Sequence, residues 1–292
     1  MSDELSNRPS RGSGAAAVLV GIAIVAILML LSIVRFPESL SESGWSNLLV
    51  TAAALVAYGG VAAWARSQTA ARTQTALSRG AQVGGFLAVV SLINLGVEHF
   101  VYLGAASDAT RGVSMWAVLF LSFGFAGSSV DTKVGSLILG IVSSIWAAVV
   151  NSVAILIGGF SLALLFMPHM KQILFDAFSH SNMKDPGAFV VHNTMGAAAS
   201  HALLLPVLAA IFGCGGAVAG KLLRPVQRRG GIALCIGAVV ILALALAAIR
   251  HASSLDRAQR PPYIMAGLLG LGVTLMCAYP IVVAVRRPAR SA

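Results

Sequence analysis

The amino-acid sequence predicts an all-α, multi-pass transmembrane helical bundle. Hydrophobic residues make up 58% of the 292 residues and charged residues only 10%, and the mean hydropathy is +0.87. A soluble domain carries about 25% charged residues, because its surface has to be hydrated. Since this chain has too little charge to cover a water-soluble protein of its length, most of its surface is expected to face hydrocarbon.

Eight apolar runs have the length that a membrane-spanning helix needs, roughly 20 residues for a hydrocarbon core of about 30 Å. Backbone groups in lipid must bond to one another, which only helices and closed barrels achieve. Barrel strands alternate polar and apolar residues, whereas these runs are apolar throughout, so helices are expected. The predicted spans are 15–34, 47–65, 82–103, 113–130, 135–167, 195–220, 231–249 and 263–285.

One membrane domain, residues 15–285, is predicted, with a short polar tail at each end of the chain. Residues 1–14 form the N-terminal tail, and residues 286–292 form a basic C-terminal tail. The first apolar run ends in Val34-Arg35-Phe36-Pro37, which is not the small-residue site that a signal peptidase cleaves. The run 15–34 is therefore expected to remain as the first span.

The run 135–167 decides the number of spans and their orientation. As one straight helix it would be about 50 Å long, so it is either one long span or two short spans that turn near Asn151-Ser152. With eight spans and a cytoplasmic N-terminus, 13 of the 20 Lys and Arg residues lie in cytoplasmic segments and 7 in outer segments. The positive-inside rule favours this arrangement over a split run, so both termini are expected in the cytoplasm.

Polar side chains inside the spans are the first candidates for function. A charged residue at the centre of a span costs about 2.5–3.5 kcal/mol. Glu98 lies four residues after Asn94, so the two share a helix face. A carboxylate there could relay protons, bind a cation or join a metal site; alternatively, it hydrates at the interface or pairs with His99 or Arg111. The predicted polar intramembrane patch consists of Asn94, Glu98, His99, Asn151 and His201.

A stretch rich in histidine and methionine, residues 167–201, is the second candidate. Four of the six histidines lie in it, and three of them have a methionine close behind. Imidazole and thioether ligands together suit copper, and thioether favours Cu(I). A metal site here would hold copper or haem, but the sequence by itself leaves the cofactor unknown. The candidate metal ligands are His169, Met170, His180, His192 and Met195, with His99 and His201 as further possible members.

The same stretch has a second interpretation that does not involve metal. Residues 169–183 place apolar side chains on one helix face, which is typical of an amphipathic helix lying flat at the membrane surface. Methionine is also a common filler of apolar cores. This segment is expected at the outer membrane surface, between the fifth and sixth spans. The apolar face would contain Met170, Ile173, Leu174, Phe175 and Phe178.

Small residues predict where the helices approach one another closely, because packing at small side chains drives much of helix association in lipid. Three such surfaces are Gly80 with Gly84, Gly216 with Gly220, and the group Ala266, Gly267 and Gly270.

Three classes of function fit the sequence. The first is a transporter or permease component in which Glu98 faces another helix or a cavity. The second is a non-catalytic scaffold or sensor, and the third is a metal- or haem-binding protein. Common catalytic and nucleotide-binding motifs are missing, which argues against an enzyme.

The expected partner is the lipid bilayer, together with a second copy of the chain or other membrane subunits. The net charge of +10 comes from residues between the apolar runs, which suit lipid headgroups. Nucleic-acid binding would need a basic face on a folded domain, and the sequence offers none. The compact, alanine-rich chain favours a bacterial cytoplasmic membrane.

Overall fold

The computed structural model describes residues 13–41, 43–101 and 105–229. The predicted spans 231–249 and 263–285, the C-terminal tail and the group Ala266, Gly267 and Gly270 lie outside these residues, as does almost all of the N-terminal tail. Every regular element in the described ranges is helical, which confirms the all-α class.

Six of the helices in the described part of the chain are long and apolar enough to cross a membrane. They correspond to the first six predicted spans. A 310 turn, Pro37–Leu40, follows the first helix. The helices are α1 (Ser13–Arg35), α2 (Gly44–Ser67), α3 (Ala71–Phe100), α4 (Ala105–Val134), α5 (Leu137–Leu165), α6 (Met167–Ile173), α7 (Phe175–Ser179) and α8 (Pro186–Arg229).

Several helices extend beyond the apolar runs that predicted them. Helix α3 begins 11 residues before the predicted span 82–103, and α8 begins 9 residues before 195–220. A helix does not have to end where hydrocarbon ends, so polarity alone gives bounds that are too short. Helix α5 is continuous through Asn151-Ser152 and about 43 Å long. The alternative of two short spans within this run is therefore wrong.

The amphipathic segment also differs from its prediction. One helix was expected over residues 169–183, but the structure has α6 and α7, which meet at Leu174, and the helical conformation ends at Ser179. Beyond that point the side chains of Ser179 and His180 both bond to the carbonyl oxygen of Asp176, each at 2.7 Å. Such local bonds compete with helix propagation, which explains the early end.

The expected apolar face of that segment is divided as well. Met170 is 5% exposed and belongs to a buried core, whereas Ile173 is 42% and Phe175 60% exposed. The position of this segment relative to a membrane surface remains a prediction.

The described chain divides into two compact units. Unit 1 contains the described residues up to Gln74 together with Val149–Leu205. Unit 2 contains Thr75–Ala148 together with the described residues from Pro206 onward. Helices α5 and α8 are each divided, with one part in unit 1 and the other in unit 2.

The core of unit 1 is apolar and draws on α1, α2, α5, α6 and α8. Helix α1 lies against α5, because a Cβ atom built at Gly21 would be 2.5 Å from Cγ1 of Val153. Helix α2 is tied to α8 by the Tyr58 hydroxyl, which donates a buried hydrogen bond of 2.6 Å to the carbonyl oxygen of Ala202. The members of the core are Val25, Met29, Leu55, Leu156, Phe160, Ala163, Met167, Met170, Val190, Val191, Met195 and Ala198.

Unit 2 is packed through glycine. A Cβ atom at Gly216 of α8 would overlap the carbonyl oxygen of Gly124 of α4, and one at Gly127 would overlap that of Gly213. At Gly220 a Cβ atom would come within 3.1 Å of the carbonyl oxygen of Ser128. The prediction that Gly216 and Gly220 mark a close helix contact is confirmed: α4 and α8 cross with their backbones nearly touching.

The other helices of unit 2 are equally close. A Cβ atom at Gly80 of α3 would overlap the carbonyl oxygen of Ser143 of α5, which confirms this glycine as a contact point. Helices α4 and α5 are joined by a two-residue connection in which Gly135 has a φ of 78°, a left-handed conformation that favours glycine. The Ser144 hydroxyl then donates a hydrogen bond of 2.8 Å to the carbonyl oxygen of Phe123, linking α5 to α4.

Candidate functional site

Unit 2 holds a cluster of Asn94, Glu98 and Arg111, here called the Glu98 cluster. The Arg111 guanidinium donates from Nη1 to Oδ1 of Asn94 at 2.9 Å and to Oε2 of Glu98 at 3.2 Å. A longer bond of 3.4 Å reaches the carbonyl oxygen of Asn94. Asn94 and Glu98 lie one turn apart on α3, so a single cation from α4 can meet both.

This pairing is one of the alternatives that the sequence left open for Glu98. The carboxylate is turned toward the neighbouring helix, as the transport hypothesis expects, but it meets a cation there. The Glu98 side chain is 47% exposed and that of Arg111 only 18%. The arginine is therefore the more buried partner. The geometry of this cluster fits a transport role and a purely structural role equally well.

A second polar cluster links α3 to α4 near their other ends. We call Arg79, Gln82 and Ser129 the Arg79 cluster. Nε of Arg79 donates to the hydroxyl of Ser129 at 3.3 Å, and Nη1 donates to Oε1 of Gln82 at 3.1 Å. The guanidinium carbon also lies 5.2 Å from the ring centroid of Phe125, a cation–π distance. None of these residues was among the predicted site residues.

Asp131, near the end of α4, is the most deeply buried carboxylate in the described residues, at 1% exposure. It lies three and four residues after Ser128 and Gly127, so it shares the face of α4 that packs against α8. The sequence interpretation missed it by ending the predicted span at residue 130. The available signal was the absence of any helix breaker between that residue and Gly135.

The two clusters are separated by about one hydrocarbon thickness. From Arg79 to Glu98 is 19 residues along α3, and from Arg111 to Ser129 is 18 along α4. At 1.5 Å per residue these separations are about 28 and 27 Å, and a bilayer core is about 30 Å thick. Helices α3 and α4 therefore run antiparallel, with a charged cluster near each end and apolar or small residues between.

The remaining residues of the predicted patch have separate surroundings. Asn151 is completely buried in unit 1. His201, also in unit 1, is half-buried and its Nδ1 lies 2.9 Å from the carbonyl oxygen of Ala197. His99 is half-buried and belongs to unit 2 with Asn94 and Glu98. The five patch residues are thus divided between the units, and a single shared patch remains a prediction.

The candidate histidine ligands mostly bond to nearby backbone. His180 is exposed and its Nδ1 lies 2.7 Å from the carbonyl oxygen of Asp176. Nδ1 of His192 lies 3.1 Å from the carbonyl oxygen of Ser39, and its Nε2 is 3.5 Å from the hydroxyl of Ser43. His169 is half-buried at the start of α6.

The methionine candidates, by contrast, lie together. Met170 and Met195 are both members of the unit 1 core. Across the described ranges, no three His, Cys, Asp or Glu side chains form a group able to hold a metal ion.

No protein-family model, curated protein or solved structure matches this chain.

Proposed function

We propose that this membrane protein is a transporter or permease component, and that Asp131 is the ionisable group that binds the transported proton or cation. The single observation that carries the proposal is the 1% exposure of this carboxylate within a helix long and apolar enough to span a membrane. Ionisable residues inside spans are costly, and they mark proton relays and ion pathways.

The α4–α8 crossing near Asp131 is packed through small residues. The face of α4 that carries Asp131 also contains Gly127 and Ser128, which pack closely against α8. A purely structural contact between these helices is already supplied by Gly124 and Gly216. Close packing does not require a carboxylate at this position, which supports a role for Asp131 in binding a proton or cation.

The two polar clusters supply the second element of the proposal. Because the Glu98 and Arg79 clusters join α3 to α4 near opposite ends, each would close one end of the helix pair. A transport cycle would open the two ends in turn, and polar bonds of modest strength suit such reversible contacts. The antiparallel arrangement and the spacing of about 30 Å fit this role.

The test is charge movement by the purified protein in proteoliposomes, recorded on a solid-supported membrane during jumps of pH and of cation concentration. We expect the parent protein to give a transient current and Asp131→Asn to abolish it. Asp176→Asn is the matched control, because Asp176 is exposed on α7 and belongs to unit 1. This control should retain the parent current.

A scaffold or sensor is the competing function, favoured by the Glu98–Arg111 pair, in which polar groups satisfy each other. The same recordings separate the two. A scaffold predicts no current from the parent protein, and it predicts that a folded Asp131→Asn variant supports cell growth as well as the parent does. Either result would contradict transport through Asp131.

A further inference from the structure

Methionine is concentrated in the core of unit 1. Four of the six methionines in the described residues belong to this one cluster of twelve side chains. They are also well buried, with exposures of 0–8%. The four are Met29, Met167, Met170 and Met195.

The four methionines belong to three helices. Met29 belongs to α1 and Met195 to α8, while Met167 and Met170 are three residues apart on α6 and so share a helix face. A coordination site draws its ligands from several elements, and all four methionines belong to one buried cluster. The remaining eight members of the cluster are Val, Leu, Phe and Ala, so sulfur is the only heteroatom among the cluster's side chains.

We propose that this methionine cluster binds a soft monovalent cation, which in a cell would be Cu(I). Thioether sulfur is neutral and soft and selects Cu(I) over hard cations, which prefer carboxylate and carbonyl oxygen. A divalent ion would place two uncompensated charges in an apolar core, whereas a monovalent ion places one and gains several sulfur ligands. Zinc is disfavoured because the cluster has neither thiolate nor imidazole.

This site differs from the one that the sequence suggested. The predicted ligand set combined His169, His180 and His192 with Met170 and Met195. In the structure the ring nitrogens of His180 and His192 lie close to backbone carbonyl oxygens, while the methionines lie in the core. The inference therefore keeps the two methionines, adds Met29 and Met167, and makes the site sulfur-based.

The methionine cluster lies near one end of each helix that contributes to it. Met29 is six residues from the end of α1, Met195 is nine residues from the start of α8, and Met167 is the first residue of α6. At 1.5 Å per residue the first two depths are about 9 and 14 Å. An ion would thus enter from the side of the connecting segments, which the predicted topology places outside the cell. The inference does not depend on the transport role of Asp131 in unit 2.

The experiment is a competition for Cu(I) between the detergent-purified protein and a coloured Cu(I) chelator, without oxygen and with a reductant present. The test variant replaces all four cluster methionines with leucine, which conserves volume and apolarity. The control replaces Met115 and Met183, the two described methionines outside the cluster, in the same way. Folding of each variant is checked by circular dichroism and size-exclusion chromatography.

We expect the parent and the control to take up Cu(I), and the four-leucine variant to bind it at least about tenfold more weakly. X-ray absorption of the parent complex should show sulfur neighbours around copper. The inference is overturned if the parent does not compete for Cu(I), if the folded four-leucine variant binds equally well, or if the copper has only nitrogen and oxygen neighbours. The absorption spectrum uses only the parent protein, so it decides the question even if the variant does not fold.

Discussion

Arg111 shows how unit 2 accommodates a carboxylate near lipid. Its guanidinium is mostly buried and donates to Glu98 and to two oxygens of Asn94. The glutamate is about half exposed, so water shares the cost of its charge. Breaking the pair is therefore expected to cost more on the arginine side, because the guanidinium is the less exposed of the two charged groups.

Comparing the stability losses of Glu98→Gln and Arg111→Gln tests this asymmetry. Glutamine at position 98 can still accept a bond from Arg111, so we expect it to cost less than about 1 kcal/mol. Glutamine at position 111 is too short to reach both partners, and we expect a loss of about 1–3 kcal/mol. Thermal unfolding of the detergent-solubilised protein measures both; equal losses would show that the cluster is not centred on Arg111.

Asp131 illustrates which site residues sequence reasoning can find. Glu98 was identified because it lies within a predicted span, about one turn from its end, where a charged side chain is costly. Asp131 lies one residue beyond the predicted span, where a charge is typical of a helix end. The face of α4 that it shares packs against Gly213 and Gly220 of α8, which follow more than 80 residues later. Likewise, the shared core of Met29 and Met195 depends on long-range packing that no local pattern contains.

At the scale of elements, the α4–α8 crossing is held by close approach of two backbones. No side chain separates Gly216 from Gly124, and the same is true where Gly127 meets Gly213. Packing of this kind is sensitive to a single methyl group, because neither backbone can move aside as a flexible side chain would.

Adjacent glycines of α8 provide a matched pair of variants. Gly216→Ala would place its methyl group against the Gly124 carbonyl oxygen, so we expect a loss of about 1–3 kcal/mol from overpacking. For Gly215, no described atom lies within 4 Å of the built Cβ atom. Gly215→Ala should therefore be neutral or stabilise the protein by up to about 1 kcal/mol, because alanine favours helix.

Thermal unfolding of the two alanine variants side by side decides this prediction. A larger loss for Gly215→Ala than for Gly216→Ala would contradict the crossing. The helical fold itself should persist in both variants, and circular dichroism checks that.

The bounds of the helices were predicted less well than their existence. Each of the first six apolar runs lies in a helix of the structure. A run of consecutive apolar residues is enough to predict this, because backbone groups in lipid must bond to one another. Helix ends depend on local bonds instead. The side-chain bonds of Ser179 and His180 to the Asp176 carbonyl oxygen end α7, and amino-acid composition does not predict such bonds.

For the molecule as a whole, we expect both termini in the cytoplasm. The charge bias of 13 against 7 Lys and Arg residues is the basis of this prediction. Reporter enzymes fused to each terminus, one active only inside the cell and one only outside, measure the orientation. Termini on opposite sides would mean an odd number of spans.

Lipid is expected to be the solvent for most of this protein's surface. Its candidate spans carry large apolar side chains on their exposed faces, including Val56 at 77% and Ile138 at 71% exposure. In water that surface would drive aggregation.

Washing isolated membranes with alkaline carbonate, followed by sedimentation, tests this claim most directly. Carbonate removes proteins held at the surface but leaves integral proteins in the pellet. We predict that the protein stays in the pellet and is released only by detergent. Its recovery in the carbonate supernatant as a soluble monomer would contradict the account.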